Sequence, residues 1–460
     1  MTTVSGIRGI LAYHEYEPGR WNFTAPRGTP VIVTYNFTAS EDLHNHVNSY
    51  YPGSTYSVFN DQQQASFQQA AEEFSQVSGI IFVEVEGPAM INIANGSNTG
   101  VGGYASYPFG YTNFESDFFG SFVIDQNGNY GQGTEQYGVL LHELGHAVGL
   151  SHTHDGPFVL DPAIDNPMYS VMTYNSNAAG GRDGLGTLDV AALEHLYGTP
   201  VNTNGWIIRQ DDDEFVIRGT GRDESFFAVT QETWIRGRGG DDTIFGRGYD
   251  DRLIGGAGED TIRGNGGDDV LQGNADADRI WGGEGSDIIR GGSGADALRG
   301  GWGDDVIAGG SGSDRLIGGF GQDTLRGNGG ADRLQGQAGD DQLYGGGGDD
   351  RLSGASGENI LSGGGGDDRL ISAGYDDTLT GGRGADTFDI RSGSYAEITD
   401  FDSTEDRIVV RSIENPQVEV YDGVGSVSVS IYDGNSFSGH IELTGLSLED
   451  FDPSTMIDFV

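Results

Sequence analysis

The sequence predicts a multi-domain protein in which an α+β domain is followed by an all-β parallel β-roll and then by a β-rich C-terminal cap. Three observations support this fold class. A histidine-rich segment at 142–152 follows alternating strand and helix patterns, a nine-residue repeat runs through 236–390, and strands of alternating polarity come after it. The predicted segments are therefore a first domain at 1–200, a bridge at 201–235, the β-roll at 236–390 and the cap at 391–460.

The first domain is predicted from its strand and helix patterns. Residues 31–37 and 80–85 have the composition of buried strands, and further strands are expected at 90–94 and 122–125. A helix between the first two strands is predicted by apolar residues at helical spacing, which are Phe67, Ala70, Ala71, Phe74 and Val77. A later helix is expected to bury a stripe made of Leu140, Leu141, Leu144, Ala147 and Val148.

The run HELGHAVGLSH, which begins at His142, has the ligand spacing of a zinc site. On a helix, His142 and His146 lie at i and i+4 and share one face, with Glu143 beside the metal position but not on it. Gly149 permits a left-handed turn, so that His152 can supply a third nitrogen and leave the fourth position open for water. With 9 histidines in 460 residues, chance produces this pattern on the order of 10⁻⁵ times. The alternative, a helix of structurally satisfied histidines, needs all five positions to coincide.

Two segments downstream extend this pattern. Residues 169–174 read YSVMTY and contain Met172 and Tyr174, and residues 188–198 read LDVAALEHLYG. Together with the histidine run, these segments resemble the serralysin family of metzincin zinc endopeptidases. The resemblance implies an α+β metzincin catalytic domain in which the methionine lies beneath the zinc site, the tyrosine approaches the metal and the last helix closes the domain.

The residue types suggest a mechanism of peptide hydrolysis. A zinc ion held by His142, His146 and His152 is expected to lower the pKa of its bound water and to polarise the scissile carbonyl. Glu143 is the predicted general base, which takes the proton of that water and later gives it to the leaving amine. The resemblance adds Tyr174, which in serralysins ligates the resting zinc and then hydrogen-bonds the developing oxyanion.

The segment after the histidine run departs from the serralysin pattern. Serralysins usually have proline after the third zinc histidine, where this chain has Thr153, followed by His154 and by Asp155 at a family aspartate position. His154 is therefore a weak additional candidate for metal binding, since histidines in wet loops are usually solvated. His44 and His46 have no third ligand nearby in the sequence, and we expect them to be surface residues.

Two other function classes stay open at this stage. The chain could be a calcium-dependent adhesin or scaffold with an inactive or latent protease-like head. Inactive heads, however, typically lose the general base or a zinc ligand. It could also be a zinc hydrolase with a non-protein substrate, because only the family resemblance, and not the ligand spacing, indicates that the substrate is a protein. The expected partners are protein or peptide substrates and a proteinaceous inhibitor, and we expect a monomer.

Composition limits the cofactors and partners. The chain has no cysteine, so neither a disulfide nor a cysteine latency switch is available. The formal net charge of -46 repels nucleic acid and anionic membranes and favours cations as partners. No apolar run of about eighteen residues is present, so no membrane span is expected. The first residues lack the apolar core of a cleavable export signal.

The segment 236–390 is an array of nonapeptides. An acidic register begins at Asp242 and recurs every ninth residue, with asparagine at one of seventeen positions, Asn359. An apolar residue follows two positions after every one of them, which chance would produce on the order of 10⁻⁸ times. The predicted calcium ligands are the aspartates of this register: Asp242, Asp251, Asp260, Asp269, Asp278, Asp287, Asp296, Asp305, Asp314, Asp323, Asp332, Asp341, Asp350, Asp368, Asp377 and Asp386.

The nonapeptides predict a parallel β-roll whose coils are held together by calcium. Each repeat supplies a glycine-rich turn and a short strand, and stacking brings the apolar residues into an internal ladder. Aspartate carboxylates and backbone carbonyls of neighbouring turns are hard oxygen ligands suited to Ca²⁺. A disordered glycine-rich linker does not explain the unbroken apolar ladder. The array resembles the RTX repeats that serralysins carry after the protease domain.

Four places in the array are expected to bind calcium less well. Asn359 lacks the charge, Tyr249 and Tyr375 replace the glycine two residues before the aspartate, and residues 274–278 lose their turn glycines. Elsewhere, the dense aspartates should repel one another without calcium and link folding to the ion.

These properties predict a secreted, extracellular protein. The chain is expected to stay unfolded in a calcium-poor cytosol and to leave through a type I secretion transporter without a cleavable N-terminal signal. Residues 456–460, MIDFV, resemble the uncleaved C-terminal signal of that pathway, with two apolar residues after Asp458 where serralysins usually have three. Residues before about 25 could be a short latency segment or part of the mature fold.

Overall fold

The structure, a computed structural model, divides the chain into two compact units. The N-terminal unit comprises Met1–Asn204 and Ile208–Asp213, and the C-terminal unit comprises Gly205–Ile207 and Glu214–Val460. The residues that the structure describes are 2–4, 13–14, 17–18, 30–37, 56–85, 89–96, 103–105, 120–125, 134–148, 150, 158–160, 172, 185, 187–197, 200, 203, 205–211, 214–229, 232–374, 376–391, 393–411, 413–414, 416–423, 425–434 and 436–460. As a division into domains, the four predicted segments stay a prediction.

The N-terminal unit contains a mixed sheet with helices packed against it. In spatial order the sheet strands are Ile80–Glu84, Val31–Asn36, Ile91–Gly96, Gly120–Asp125 and Gly103–Ala105. The first four are parallel, Gly103–Ala105 is antiparallel, and Tyr56–Ser57 also pairs antiparallel with Ile91–Gly96. Shorter strands lie at Thr2–Val4, Tyr13–His14, Glu17–Pro18 and Phe158–Leu160. The strands predicted at 31–37, 80–85, 90–94 and 122–125 are confirmed.

Three helices belong to this unit: α1 at Asp61–Val77, α2 at Glu135–Ala147 and α3 at Thr187–Tyr197. Asn60 caps α1 in a reciprocal capping box with Gln63. The predicted helical stripes are confirmed, because Phe67, Ala70, Ala71 and Phe74 on α1 and Leu140, Leu141, Leu144, Ala147 and Val148 at α2 are all buried in one core cluster, with Val77 packed against it. These contacts fix the face that α2 leaves for its polar residues.

The C-terminal unit is a parallel β-solenoid, so the predicted β-roll is confirmed. Its first sheet, here called roll sheet 1, contains the strands Glu214–Arg218, Thr233–Gly239, Arg252–Ala257, Val270–Ala275, Ile288–Ser293, Val306–Ser311, Thr324–Gly329, Gln342–Gly347, Ile360–Gly365, Asp377–Arg383 and Tyr395–Ile398. Roll sheet 2 contains Ser225–Phe227, Thr243–Phe245, Thr261–Gly266, Arg279–Glu284, Ala297–Trp302, Arg315–Phe320, Arg333–Ala338, Arg351–Ser356, Arg369–Ser372, Thr387–Arg391, Arg407–Arg411 and Ile457–Phe459. A further strand covers Ile207–Asp211.

Each coil contains two nonapeptides, since residues eighteen apart are paired in register within a sheet, as in Leu253 with Leu271 and Ile262 with Ile280. The apolar ladder lies inside and is completely buried or nearly so: Ile244, Leu253, Ile262, Leu271, Ile280, Ile289, Leu298, Ile307, Leu316, Leu325, Leu334, Leu343, Leu352, Leu361, Leu370, Leu379 and Phe388. At roughly 1.5–3 kcal/mol for each buried aliphatic side chain, this ladder is the main apolar stabilisation of the roll.

The solenoid is longer than the nonapeptide array. The consecutive coils of the solenoid begin at Phe215, which pairs with Thr233, and continue to Arg411, which pairs with Arg391. A coil needs only a strand with a buried apolar residue to continue the stack, as Phe226 and Ile408 provide at the two ends. A coil can therefore join the stack without the Gly-Asp turn of the nonapeptides.

Antiparallel strands follow the roll. Ser436–Thr444 pairs parallel with Tyr395–Ile398 and antiparallel with Ser426–Asp433, which in turn pairs antiparallel with Pro416–Asp422. The strand expected from the alternating polarity at 427–431 is present, with its alternate residues buried. A 3₁₀ turn at Leu448–Asp450 and a short helix, α4, at Pro453–Met456 complete the described elements. Within the described part of the chain, no helix is long and apolar enough to cross a membrane.

Candidate metal centres

The histidine pair lies in the second half of α2. Thr134 begins this helix by accepting a hydrogen bond from the backbone N–H of Tyr137 at 3.1 Å. The imidazole rings of His142 and His146 are 4.7 Å apart and nearly perpendicular. Both histidines and Glu143 are at least nine-tenths buried, although they lie on a helix whose other face is apolar core. Three polar side chains concentrated in this way make this part of α2 a candidate site, since histidine and glutamate are seldom this buried.

A hydrogen bond sets the orientation of the His146 ring. Its Nδ1 lies 2.8 Å from the carbonyl oxygen of Leu150, which follows the helix. A carbonyl can only accept, so Nδ1 carries the proton and the lone pair of the neutral ring is on Nε2. Metal-binding histidines are typically held by such a bond through the nitrogen that does not bind the metal. The tautomer of His146 therefore fits a zinc ligand.

Met172 packs against the same helix. Its side chain is fully buried, and a Cβ added to Gly145 would lie 2.6 Å from the Met172 sulfur. Glycine at this position therefore gives the methionine room to reach the helix between the two histidines. The end of α2 is also tied to α3, because the Tyr197 hydroxyl donates to the carbonyl of Val148 at 2.8 Å. These contacts fix the C-terminal half of α2, which carries the two histidines.

Other predicted zinc-site residues lie outside the described residues. They are His152, Tyr174 and Gly149, together with the weak candidates His154, His44 and His46. Among the described residues, no three histidine, cysteine, aspartate or glutamate side chains come close enough to hold a metal. The zinc ligand set, the base role of Glu143 and the role of Tyr174 therefore stay predictions.

The register aspartates of the roll form two ladders. In each, Oδ1 accepts the backbone N–H of the register residue one coil earlier, as in Asp242 to Asp260 and Asp251 to Asp269, at 2.8 and 2.7 Å. Each register aspartate is at most 2% exposed. This bond fixes each carboxylate between two coils and uses only one of its oxygens.

The second carboxylate oxygen, Oδ2, of most register aspartates has no hydrogen-bond partner in the described part of the chain and is here called an orphan oxygen. Among the described residues, no hydrogen-bond donor reaches the buried Oδ2 of fourteen of them: Asp242, Asp260, Asp269, Asp278, Asp287, Asp296, Asp305, Asp314, Asp323, Asp332, Asp341, Asp350, Asp368 and Asp386. A buried charged oxygen without a partner is costly. A bound cation would supply the missing partner.

The orphan oxygens line small cradles over the turn glycines. A Cβ added to Gly264 would lie 2.0 Å from Oδ2 of Asp269 and 2.8 Å from the carbonyl oxygen of Gly282 in the next coil. Gly273 has the same relation to Asp278 and Gly291. A carboxylate and a carbonyl from adjacent coils thus share a space that any side chain would fill, and both are hard oxygens of the kind that Ca²⁺ prefers.

Burial raises the pKa of the register carboxyl groups. For Asp269 the pKa rises to about 9, first because the group is desolvated and then because Asp251 and Asp287 lie nearby. The pKa of Asp305 rises to about 8 for the same reasons, with Asp287 and Asp323 as its charged neighbours. Without a cation, the groups with the highest pKa values, such as Asp269 and Asp305, would be mainly protonated in the folded roll at neutral pH.

Three of the four places expected to be weak differ from this pattern. Oδ2 of Asp251 accepts the backbone N–H of Arg247 at 3.1 Å, and Oδ2 of Asp377 accepts the Ser372 hydroxyl at 2.7 Å. The Asn359 amide donates to Oδ1 of Asp377 at 2.9 Å. At these positions, a hydrogen bond within the protein engages the side-chain atom that corresponds to the orphan Oδ2 of the other repeats.

The fourth place keeps the regular geometry. Asp278 has an orphan Oδ2 although its turn lacks glycines. Asn274 and Asp276 occupy the left-handed region there, with φ of 85° and 76°. Asparagine and aspartate are the residues that tolerate this conformation best after glycine.

The two ends of the ladder that runs from Asp242 to Asp386 were not identified from the sequence. Glu224 donates its N–H to Oδ1 of Asp242, and its own carboxylate accepts from Trp206 at 2.7 Å and from Thr220 at 2.7 Å. Asp406 accepts the N–H of Asp386 at the other end. Glu224 lies eighteen residues before Asp242, which is the length of one coil, so it could have been found from the sequence by this spacing. Asp406 lies twenty residues after Asp386, so the same spacing does not predict it.

We expect aspartates with and without an orphan oxygen to differ in calcium binding. Asp287→Asn should lower the calcium content of the folded protein by about one ion per chain, because the carboxylate oxygen that faces the cradle becomes an amide. Asp251→Asn is the matched control and should leave the content unchanged, since Arg247 already satisfies its Oδ2. Metal analysis after desalting measures both, and equal losses would contradict this assignment.

Stability of the calcium-free roll should decrease as pH rises. Burial raises the pKa of the register carboxyl groups, for example from 3.8 to about 6 for Asp260 and to about 9 for Asp269, so the folded state holds more protons than the unfolded chain in that range. The proton-linked stability is present below the unfolded pKa and is lost as pH rises through the folded values. Circular dichroism in calcium-free buffer should show more strand at pH 5 than at pH 8.5. More strand at pH 8.5 than at pH 5 would contradict the conclusion that burial raises the pKa of the register carboxyl groups.

Comparison with known proteins identifies the repeats. A family model for the RTX calcium-binding nonapeptide repeat (4 copies) matches residues 236–271, 263–298, 299–334, 326–361 and 362–394. The roll is therefore built from RTX calcium-binding repeats, with the buried aspartate ladders described above.

Relatives of the chain are distant. A serralysin of Photorhabdus luminescens is 31% identical over 235 residues, which is 44% of each chain. Serralysin C of Dickeya chrysanthemi is 29% identical over 240 residues, which is 46% of this chain and 47% of the relative. The chain thus spans less than half the length of these relatives. The solution structure of the AlgE6R3 subunit from the Azotobacter vinelandii mannuronan C5-epimerase is 24% identical and covers 34% of this chain and 78% of that chain, with a TM-score of 0.18. This chain carries RTX calcium-binding repeats and is distantly similar to the serralysins.

Proposed function

We propose that this protein is a secreted, calcium-dependent zinc endopeptidase of the serralysin type. The observation that carries the proposal is the buried pair His142 and His146 on α2, with the His146 ring oriented by the Leu150 carbonyl. The distant similarity to serralysins supports it. The α+β metzincin fold of the first domain belongs to the same proposal.

In this proposal His142, His146 and His152 hold one zinc ion. When bound, zinc supplies Lewis acidity to the scissile carbonyl and makes water more acidic. Glu143 follows His142 directly on α2, in a site that is largely closed to solvent, and it accepts a proton from the attacking water and gives it to the leaving amine. Tyr174 donates a hydrogen bond to the carbonyl oxygen as negative charge develops there.

The roll makes the activity conditional on calcium outside the cell. The orphan carboxylate oxygens give the folded roll a strong preference for calcium-rich surroundings. The chain leaves the cell through a type I transporter before it folds, and it acts as a monomer on protein or peptide substrates. A proteinaceous inhibitor is a further proposed partner.

Hydrolysis of unfolded casein in millimolar calcium tests this function. We expect cleavage that 1,10-phenanthroline abolishes and that added zinc restores, because the chelator removes zinc and leaves calcium bound. The control is the same assay with the phenanthroline isomer that does not chelate metals. Zinc-loaded, folded protein that cleaves no peptide bond would favour the scaffold with an inactive head.

A further inference from the structure

An uninterrupted column of arginines crosses roll sheet 2. Arg315, Arg333, Arg351 and Arg369 each follow a register aspartate and are paired in register with one another on four successive parallel strands. Neighbouring strands are about 4.8 Å apart, so four like charges are stacked on one sheet. Like charges directly opposite each other destabilise a sheet. The column therefore needs a reason beyond strand formation.

The repeat itself does not require arginine at this position. In roll sheet 1 the residues that follow the register aspartates include Val270, Ile288, Val306, Thr324 and Gln342. All 24 basic residues of the chain are arginines, in a protein with a net charge of -46. A cluster of positive charge on one face is thus a local exception, and arginine is the residue that binds oxyanions with two parallel hydrogen bonds.

Three arginines of the column, Arg315, Arg333 and Arg351, line a cavity of about 360 Å³ that is open to solvent. Its polar lining consists of Arg315, Arg333, Arg351, Arg391, Gln335 and Ser353. Leu334 and Ile371, both buried, also contribute to its wall. The cavity therefore has several hydrogen-bond donors that converge from four strands, and its volume is that of a small-molecule site.

A carboxylate neutralises one end of the column but not the cavity. Asp389 forms ion pairs with Arg369 and with Arg411. Among the described residues, no carboxylate lies within ion-pair distance of Arg315, Arg333, Arg351 or Arg391. Partial desolvation lowers the pKa of the exposed Arg351, and the nearby charge of Arg369 lowers it further, while Asp389 raises it. These four guanidinium groups therefore make no direct ion pair with a described carboxylate, and the charge of Asp389 reaches Arg351 among them.

We propose that this cavity binds a small oxyanion that carries two or more phosphate or carboxylate groups. A ligand with several anionic groups can bridge guanidinium groups on adjacent strands and offset their mutual repulsion. A small ligand is favoured because the cavity is small and because the acidic remainder of the protein repels those parts of a long polyanion that come within the Debye length, about 8 Å, of its surface. The site belongs to the roll and is independent of peptide hydrolysis.

Fluorescence anisotropy of pyrene tetrasulfonate tests the site on the full chain in millimolar calcium, since this probe chelates calcium weakly. The double variant Arg333→Gln with Arg351→Gln should bind the probe at least about tenfold more weakly, because two charge-assisted contacts are lost. The control is Arg290→Gln with Arg326→Gln, which makes the same charge change on exposed residues of roll sheet 1. The control variant should bind like the wild type.

Competition identifies the chemistry of the ligand. Displacement of the probe by glucose bisphosphate would assign the site to phosphate groups, and displacement by trigalacturonate would assign it to carboxylates. The proposal is overturned if the wild type does not bind the probe, or if both double variants lose affinity equally. Circular dichroism of both variants with calcium should match the wild type, which shows that a loss of binding is not a loss of fold.

Discussion

Glu143→Gln should abolish peptide hydrolysis while zinc stays bound. Glutamine keeps the size and burial of the side chain but cannot accept a proton, so the loss in kcat is expected to be about 10²–10⁴-fold. The hydrogen bond from His146 to the Leu150 carbonyl does not involve the carboxylate. Casein or peptide hydrolysis with zinc analysis of the same sample measures both quantities.

Glu194→Gln is the matched control for that experiment. Glu194 lies on α3 and is exposed, so the same chemical change there should leave kcat and zinc content as in the wild type. Retained hydrolysis by Glu143→Gln would remove Glu143 from the base role. Loss of zinc in that variant would instead show that the carboxylate helps to hold the metal.

Removal of calcium at neutral pH should unfold the roll. Each orphan oxygen costs about 1–3 kcal/mol or more when its cation is removed, and fourteen such oxygens are present. This cost exceeds the 5–15 kcal/mol by which native proteins are typically stable. Circular dichroism and gel filtration in chelator should show loss of strand and an expanded chain, and calcium should reverse both changes.

Magnesium at the same concentration is the control for calcium removal. Mg²⁺ needs shorter, octahedral contacts and keeps its waters, so it should not restore the roll. A roll that remains fully formed in chelator at neutral pH would contradict the link between the orphan oxygens and calcium. It would also remove the physical basis for folding only outside the cell.

Periodicity made the roll predictable from sequence. Apolar residues at fixed spacing can be buried together only if the coils stack in register, so Ile244 through Phe388 indicated both the fold and its core. The ends of the roll were missed because Phe215 and Ile408 belong to coils without Gly-Asp turns. The arginine column was also missed, since it becomes visible only at an eighteen-residue period within one sheet.

The histidine site was predictable only in part. The i, i+4 spacing predicted that His142 and His146 share one helix, and both are buried on α2, against which the buried Met172 packs. The Leu150 carbonyl that orients His146 could not be found from sequence, because any residue offers a carbonyl. The reach of His152 depends on backbone geometry after the helix, which spacing alone does not determine.

The zinc content of the calcium-loaded protein tests the central claim most directly. We predict about one zinc ion per chain after dialysis against trace zinc, with strong loss in His146→Ala and in His152→Ala. Calcium content and circular dichroism should be unchanged in both variants, since the roll folds on its own ligands. A wild type without zinc, or variants that keep it, would contradict the zinc peptidase account.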